Sequence, residues 1–362
     1  MQITYVLELL KPTNFKASLI EQNILEVQRN RISISNKLKE GNTKLSSKDF
    51  SEDLPSAVIN QNIREVKALY RLFKKSNSKN DNLSFKRNQP LCFNNQNFRI
   101  QNHFVSFPLY NSKSKRYWFP LVKNNRLTKL QGHIENGAKL GKASLFNKKG
   151  KYYFAVTIKI DQVQAMGSNV MGIDIGLNQL AVASISNISE GEIARQFNSG
   201  KEAGYIRKRN RSLRRKLGKD KKPKKIKALN DKESRYMTDL NHKISRKLIN
   251  LAVQEGVSTV VMENLKNIRK NSYSKGTNRN LHSWAFYQLQ TFIEYKAKLA
   301  GMEIVYINPK YTSQACNSCG QIQKSNRDRN IYSCNCGYRV HADLNAARNI
   351  ANICLSGKSL SA

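Results

Sequence analysis

Three carboxylates and four thiols carry the chemistry available to this sequence. Asp174 is the only ionisable residue in VMGIDIGLNQLAVASI, residues 170–185. Glu263 closes the apolar, β-branched run from Val257 to Met262, and Asp343 opens a segment in which Leu344, Ala347 and Ile350 make an apolar helical stripe. Taken singly, a strand-turn residue, a strand-end surface charge and a helix N-cap would account for them. Together they give the order Asp, Glu, Asp on a strand, a strand and a helix, which those separate explanations do not anticipate. Converging carboxylates repel one another and rise in pKa unless cations lie between them. Hard oxygen donors suit Mg²⁺ or Mn²⁺, and two such ions roughly 4 Å apart clamp the attacking water and the leaving oxygen of an in-line phosphoryl displacement. Gly172 and Gly176 on either side of Asp174 fit the close approach of a scissile phosphate.

The thiols form a second constellation. Cys316-x-x-Cys319 and Cys334-x-Cys336 are two knuckles separated by fourteen residues, with Gly320 and Gly337 after each pair to allow the tight turn. Four thiolates close a tetrahedral Zn²⁺ site, which is structural because catalytic zinc keeps an open position. The second knuckle is one residue shorter than C-x-x-C and still lets two sulfurs reach one ion. His341 is either a substitute ligand or a neighbour of Asp343. Cys92 and Cys354 stand alone, so the cysteine pattern suits a metal cluster in a reducing compartment rather than a disulfide framework.

The elements that must hold these residues follow from pattern. Strands are predicted at 171–176, 180–186 and near 192–197, then a long helical tract as far as the strand that ends in Glu263. Within that tract, thirteen Lys or Arg lie between Arg207 and Lys227 with Asp220 the only acid. Charge runs are commonly solvated faces. This one sits in a helical pattern between core strands, so Arg207, Arg211, Arg214 and Arg215 are read as lying along a bound duplex. Trp284, Phe286, Phe292 and Tyr295 recur at helical spacing and read as core packing rather than base stacking. Residues 3–10 look like a strand, 16–40 and 55–75 like helices, and 83–160 like short strands, with KASLF and KYYFAVTIKI around NKKG as a β-hairpin. A β-barrel with a helical insertion accounts for this half; two separate small domains would also do so.

The whole chain sets the partner class. Its 362 residues carry 63 Lys and Arg against 25 Asp and Glu, a formal net charge of +38, with 39% hydrophobic residues. The core can fold, and the charge needs a polyanion to neutralise it. No apolar run approaches the roughly 18 residues of a membrane span, and the start MQITYVLELLKPTNFK lacks a basic region and a small-residue cleavage site, which points to an intracellular protein.

GIDIGLNQLAVAS, VVMENL and ADLNAARNI resemble the three segments of a RuvC-type nuclease on an RNase H-like fold. The stretch from Tyr311 to Ile350 resembles the zinc ribbon of TnpB proteins, transposon-encoded RNA-guided nucleases related to type V CRISPR effectors. The resemblance is specific over residues 171–351 and rests on layout over 1–160. It implies an α+β chain with a β-barrel wedge domain at 1–14 and 78–162 and a helical recognition insertion at 15–77. It also implies a RuvC-like α/β domain at 169–310 and 342–354, a target-binding zinc ribbon at 311–341 and a tail at 355–362.

Carried over by position, Asp174, Glu263 and Asp343 match the catalytic, Mg²⁺-binding acids, and Cys316, Cys319, Cys334 and Cys336 match the ribbon ligands. Arg327 falls where the family has a basic residue near the nuclease site, able to hold the scissile phosphate. The implied activity is Mg²⁺-dependent cleavage of double-stranded DNA beside a short target-adjacent motif by a monomer in the cytoplasm, with the nucleoid. A guide RNA from the transposon end would select the target, and no membrane would be involved. Rival readings are a guide-dependent DNA binder without cleavage, against which the three acids argue, and an unguided RNase H-like transposase or resolvase. Transposases of the two-aspartate-then-glutamate kind place the glutamate last, and simple resolvases lack the ribbon.

Overall fold

The structure, a computed structural model, describes residues 1–76, 83–161, 164–265 and 286–357. The chain divides into two compact units, Met1–Asp161 and Gln162–Ala362.

The first unit begins with strand β1 (Gln2–Glu8), followed by helices α1 (Asn14–Lys39) and α2 (Ser56–Lys75). Five further segments, β2 (Leu91–Phe93), β3 (Arg99–Gln101), β4 (Phe104–Asn111), β5 (Lys113–Pro120) and α3 (Asn125–Glu135), lead to the hairpin β6 (Lys139–Lys148) and β7 (Lys151–Lys159). The predicted hairpin turns at Lys149 and Gly150, both at positive φ (55° and 78°), the signature of a two-residue turn whose twist matches the strands. Thr13 caps α1 by accepting from the Lys16 amide.

The expected barrel is not closed. The strands form a four-stranded sheet, β1-β7-β6-β2, and a three-stranded sheet, β3-β4-β5. An isolated bridge, Leu9 to Leu121, links them, with β2 only three residues long at one edge. Closure needs a continuous ladder around the circumference, and this bridge does not propagate. Aromatic packing holds the two sheets instead: Phe107 stacks on Phe119 and Phe154 at 4.7 and 5.5 Å between ring centres. Between α1 and α2, the buried Arg31 donates to Asn62 Oδ1 at 3.2 Å and to Glu65 Oε2 at 2.6 Å, so its charge is paired where it is buried.

The second unit is built on a five-stranded sheet in the order β10-β9-β8-β11-β12. Strands β8 (Asn169–Asp174), β9 (Gln179–Asn187) and β10 (Gly191–Ser199) are antiparallel neighbours, and β11 (Val257–Glu263) and β12 (Glu303–Ile307) extend the sheet in parallel with β8. Helices α4 (Lys201–Lys219) and α5 (Pro223–Gln254) join β10 to β11, and α6 (Phe286–Leu299) precedes β12. A small antiparallel sheet of β13 (Arg327–Asp328), β14 (Ile331–Ser333) and β15 (Arg339–His341) leads straight into helix α7 (Ala342–Ser356).

Strand alternation divides the core between two faces. Met171, Ile173, Val260 and Met262 meet Ile244 and Leu248 of α5 and Leu289 and Ile293 of α6 on one face. Val170 and Val261 meet Ile350 and Ala351 of α7 on the other. Gly172 belongs to the α7 face, where an added Cβ would lie 2.3 Å from Ala347 O and 2.5 Å from Ala351 N. That corrects the reason the sequence suggested for this glycine: it admits a helix, not a phosphate. Phe286 is core as expected and Trp284 lies outside the described residues. No helix among the described residues is long and apolar enough to cross a membrane.

Candidate functional site

The alternation that sends Val170 and Gly172 toward α7 sends Asp174 the same way, from the C-terminal end of β8. Its parallel neighbour β11 ends level with it, since Met262 pairs with Ile173, so Glu263 is the next residue on the same edge. Asp343 comes to meet them from the first turn of α7. Three elements remote in sequence thereby deliver three acids to one edge of the sheet, as the motifs led one to expect.

Electrostatics record the convergence. The carboxyl of Asp174 is held well above the usual carboxylate range, first by burial and then by the charges of Glu263 and Asp343, with Arg327 opposing. Glu263 is also raised by burial, against hydrogen bonding from Thr312 and the charge of Arg327. Asp343 Oδ1 accepts from Arg327 Nη2 at 2.7 Å. Asp343 is not the helix cap that its position also allowed. His341 caps α7 by accepting the Asp343 amide on Nδ1 at 3.2 Å, which leaves the Asp343 carboxylate to face the other acids.

The donor types fit hard cations: three carboxylates brought to one sheet edge, with Arg327 as a counter-charge on Asp343. The four thiols fit a soft one. Their ligand atoms all lie within 4.8 Å of one another, with Cys316 to Cys336 at 3.7 Å and Cys319 to Cys334 at 3.6 Å. A tetrahedron with Zn–S of about 2.3 Å has edges of about 3.8 Å. Burial, outweighing two backbone hydrogen bonds, pushes the Cys316 thiol up to about 12. His341 stands outside this cluster and, through the cap it makes on α7, is the neighbour of Asp343.

Several supporting residues escaped the sequence reading. Thr312 donates its hydroxyl to Glu263 Oε1, and Gln290 Nε2 donates to the Glu263 carbonyl at 2.8 Å. Asn345 and Asn349, buried one helical turn apart on α7, grip the root of the ribbon. Asn345 Nδ2 donates to Ala315 O and Asn349 Nδ2 to both Thr312 O and Ala315 O, each at 2.8 Å. Their sequence signal was two asparagines at i and i+4 on an otherwise apolar stripe. Arg348 forks onto Glu192 of β10 and donates to Tyr338 Oη at 2.7 Å, joining the ribbon, α7 and the sheet edge.

The basic tract is split by its own helix. Arg207 is buried with its guanidinium 3.7 Å from Met237 Sδ, and Arg214 is ion-paired with Glu233, so both face α5. Arg211 is half-buried and Arg215 exposed, while Lys208, Arg209 and Lys216 also face solvent.

A sheet with acids at one edge, a ribbon with four clustered thiols and a basic helical pair describe a mixed α/β protein. Residues 153–269 match the family model OrfB_IS605, described as a probable transposase, and residues 286–350 match the Cas12f1-like TNB domain. The CRISPR-associated endodeoxyribonuclease Cas12f1 of Sulfoacidibacillus thermotolerans is 36% identical over 226 residues, covering 57% of this chain and 51% of that protein. A TnpB-like protein of Methanocaldococcus jannaschii is 41% identical over 135 residues, covering 36% and 48%. The putative RNA-guided DNA endonuclease InsQ of Escherichia coli K12 is 24% identical over 327 residues, covering 83% and 74%. A solved Cas12f1–sgRNA–target DNA complex superposes with a TM-score of 0.70 at 19% identity, covering 93% of this chain and 83% of that one, which shows a shared fold. The chain resembles TnpB proteins and their Cas12f1 relatives, and it spans about half the length of the curated Cas12f1 relatives it first matches.

Proposed function

We propose that this chain is an RNA-guided, metal-dependent DNA endonuclease of the TnpB type, cutting double-stranded DNA beside a short target-adjacent motif under the direction of a transposon-derived guide RNA. The observation that carries the reading is the delivery of Asp174, Glu263 and Asp343 from β8, β11 and α7 to one edge of the sheet. A fold has little reason to drive three acids together on a protein of net charge +38 unless cations join them.

In this reading the second unit is an RNase H-like, RuvC-type domain. Asp174, Glu263 and Asp343 hold two Mg²⁺ or Mn²⁺ ions, which when bound activate water and neutralise the charge developing on the phosphate. Thr312 orients Glu263, and Arg327, able to exchange Asp343 for a phosphate oxygen, binds the scissile group. One Zn²⁺ on Cys316, Cys319, Cys334 and Cys336 stiffens the ribbon, and the two asparagines of α7 hold that ribbon against the helix that carries Asp343. The first unit, with its helical pair as the recognition part, and the outward basic residues of α4 hold RNA and the heteroduplex through backbone phosphates, leaving sequence choice to base pairing. Such a protein works inside the cell, with the nucleoid.

The test is cleavage by protein purified with its own RNA. Wild type should cut both strands of a matched duplex with Mg²⁺, and Asp174→Ala should bind RNA and target without cutting. The control Asp220→Ala should cut normally, since Asp220 lies exposed at the C-terminal end of α4. A folded Asp174→Ala that still cuts removes the assignment. Absence of co-purifying RNA removes the guide and leaves an unguided nuclease.

A further inference from the structure

The acid edge of the sheet continues sideways into a feature the nuclease reading does not use. Asp174 pairs with Val182 across β8 and β9, and Val182 pairs with Phe197 across β9 and β10. Residues directly opposite in a ladder point to the same face, so Phe197 stands on the α7 side, in one row with Asp174 and two strands away, about 10 Å. It is a large apolar side chain at the edge of a sheet, and 39% of it is exposed.

Phe197 is braced from the ribbon side. Its ring meets that of His341 at 5.2 Å between centres and 82° between planes, an edge-to-face contact. Whichever ring supplies the edge, at least one face of Phe197 is left uncovered by His341. His341 is also the residue that caps α7 and positions the Asp343 amide, so the platform and the acid cluster share a support.

An isolated exposed aromatic is ordinary on a protein surface. Here the pattern is doubled. Two residues before Phe197 on the same strand face stands Arg195, loosely paired with Glu192 Oε2 at 3.8 Å and with 57% of its side chain exposed, and two residues before His341 on β15 stands the exposed Arg339. Each ring therefore has an arginine one step along its own strand. Rings for bases, with guanidiniums for the connecting phosphates, are the elements by which proteins hold an unpaired strand without reading its sequence.

We infer that Phe197, braced by His341, is a stacking platform for one base of an unpaired nucleic-acid strand whose neighbouring phosphate lies at the Asp174, Glu263 and Asp343 cluster. The proposal rests on the nuclease reading and adds a subsite to it. The row spacing of about 10 Å is within the span of a base, its sugar and a phosphate. Stacking one base would hold the adjacent phosphate against lateral drift at the moment of attack, and Arg195 and Arg339 would fix the strand's path across the edge.

The experiment places 2-aminopurine at successive positions of short DNA and RNA oligonucleotides and titrates full-length protein at fixed salt without divalent ion. Wild type should quench the probe at one position, and the stronger of the DNA and RNA arms identifies the strand. Phe197→Trp should keep the quenching. Phe197→Leu, which retains apolar bulk beside His341 but no ring, should lose it and weaken binding about tenfold. With Mg²⁺ the same variant should raise KM far more than it lowers kcat. Quenching and affinity in Phe197→Leu equal to wild type would overturn the platform. Wild type that quenches but never cuts removes the nuclease reading and leaves the platform standing.

Discussion

Arg327 and Asp343 face each other across 2.7 Å, one from the first strand of the ribbon and the other from the first turn of α7. The pair ties the thiol cluster to the acid cluster through a single charge-assisted hydrogen bond, with Asp343 almost fully buried and a third of the Arg327 side chain open. An arginine so placed balances the charge of the acids, and in the proposed function it also serves an incoming phosphate.

Removing that arginine should separate its two roles. Arg327→Ala should lower the cleavage rate about 10²- to 10³-fold, the cost of losing one donor aimed at developing charge, with target binding nearly intact. Arg327→Lys should recover part of the rate, since the charge returns without the planar fork. Single-turnover cleavage at saturating target measures this directly, and a rate unchanged in Arg327→Ala would confine the residue to holding Asp343.

The ribbon should carry about one zinc per chain, read by metal analysis of reduced protein. Replacing Cys316 and Cys319 with Ser should release it. Because Asn345 and Asn349 hold Ala315 at the root of the first knuckle, the loss should also loosen α7, seen as faster amide exchange over residues 342–356. Zinc-free protein with unchanged exchange there would show that the two parts are independent.

The basic tract should divide by facing. Neutralising Lys208, Arg209, Arg215 and Lys216 together should flatten the dependence of log Kd on log salt by about one unit for each phosphate they had neutralised, while melting stays near wild type. Arg214→Ala should do the opposite, lowering the melting temperature by breaking the Glu233 pair while leaving most of the salt slope. A slope that disappears with Arg214 and persists without the outward four would reverse the assignment.

Lys296 sits in the helix interface, 3% exposed, donating to His242 O at 2.7 Å and Ser245 Oγ at 2.6 Å, and burial lowers its pKa to about 8, with the nearby charge of Arg246 adding to the shift. The group binds its proton less tightly folded than unfolded. Between pH 8 and the unfolded value near 10.4 the unfolded chain therefore holds more protons, and stability contributed by this site rises with pH. The penalty is fully present at pH 7. Against Lys296→Met, wild type should gain on the order of 2–3 kcal/mol across that window, measured by denaturant unfolding at each pH. Parallel stability curves for the two proteins would contradict the shift.

What the sequence by itself determined was the chemistry and its local hosts. The lone Asp174 in an apolar strand, Glu263 after a β-branched run, Asp343 at the start of a helical stripe and the two cysteine knuckles are all short-range patterns, set by alternation, helical period and turn glycines. The hairpin around Lys149 and Gly150 was legible for the same reason. Tertiary structure decided what depends on which partner an element meets. The first unit's strands alternate as a barrel's would, yet a ladder closes only if its two edges find each other, and a three-residue β2 and a single Leu9 to Leu121 bridge leave two open sheets. Thirteen basic residues spread over 207–227 cannot say which of them a helix will turn inward, and the packing of α4 on α5 buries Arg207 and pairs Arg214. Gly172 became a packing residue only when α7 lay across β8. Thr312, His341 and the row from Asp174 through Val182 to Phe197 gain their meaning from register, which brings together residues that sequence separation keeps apart.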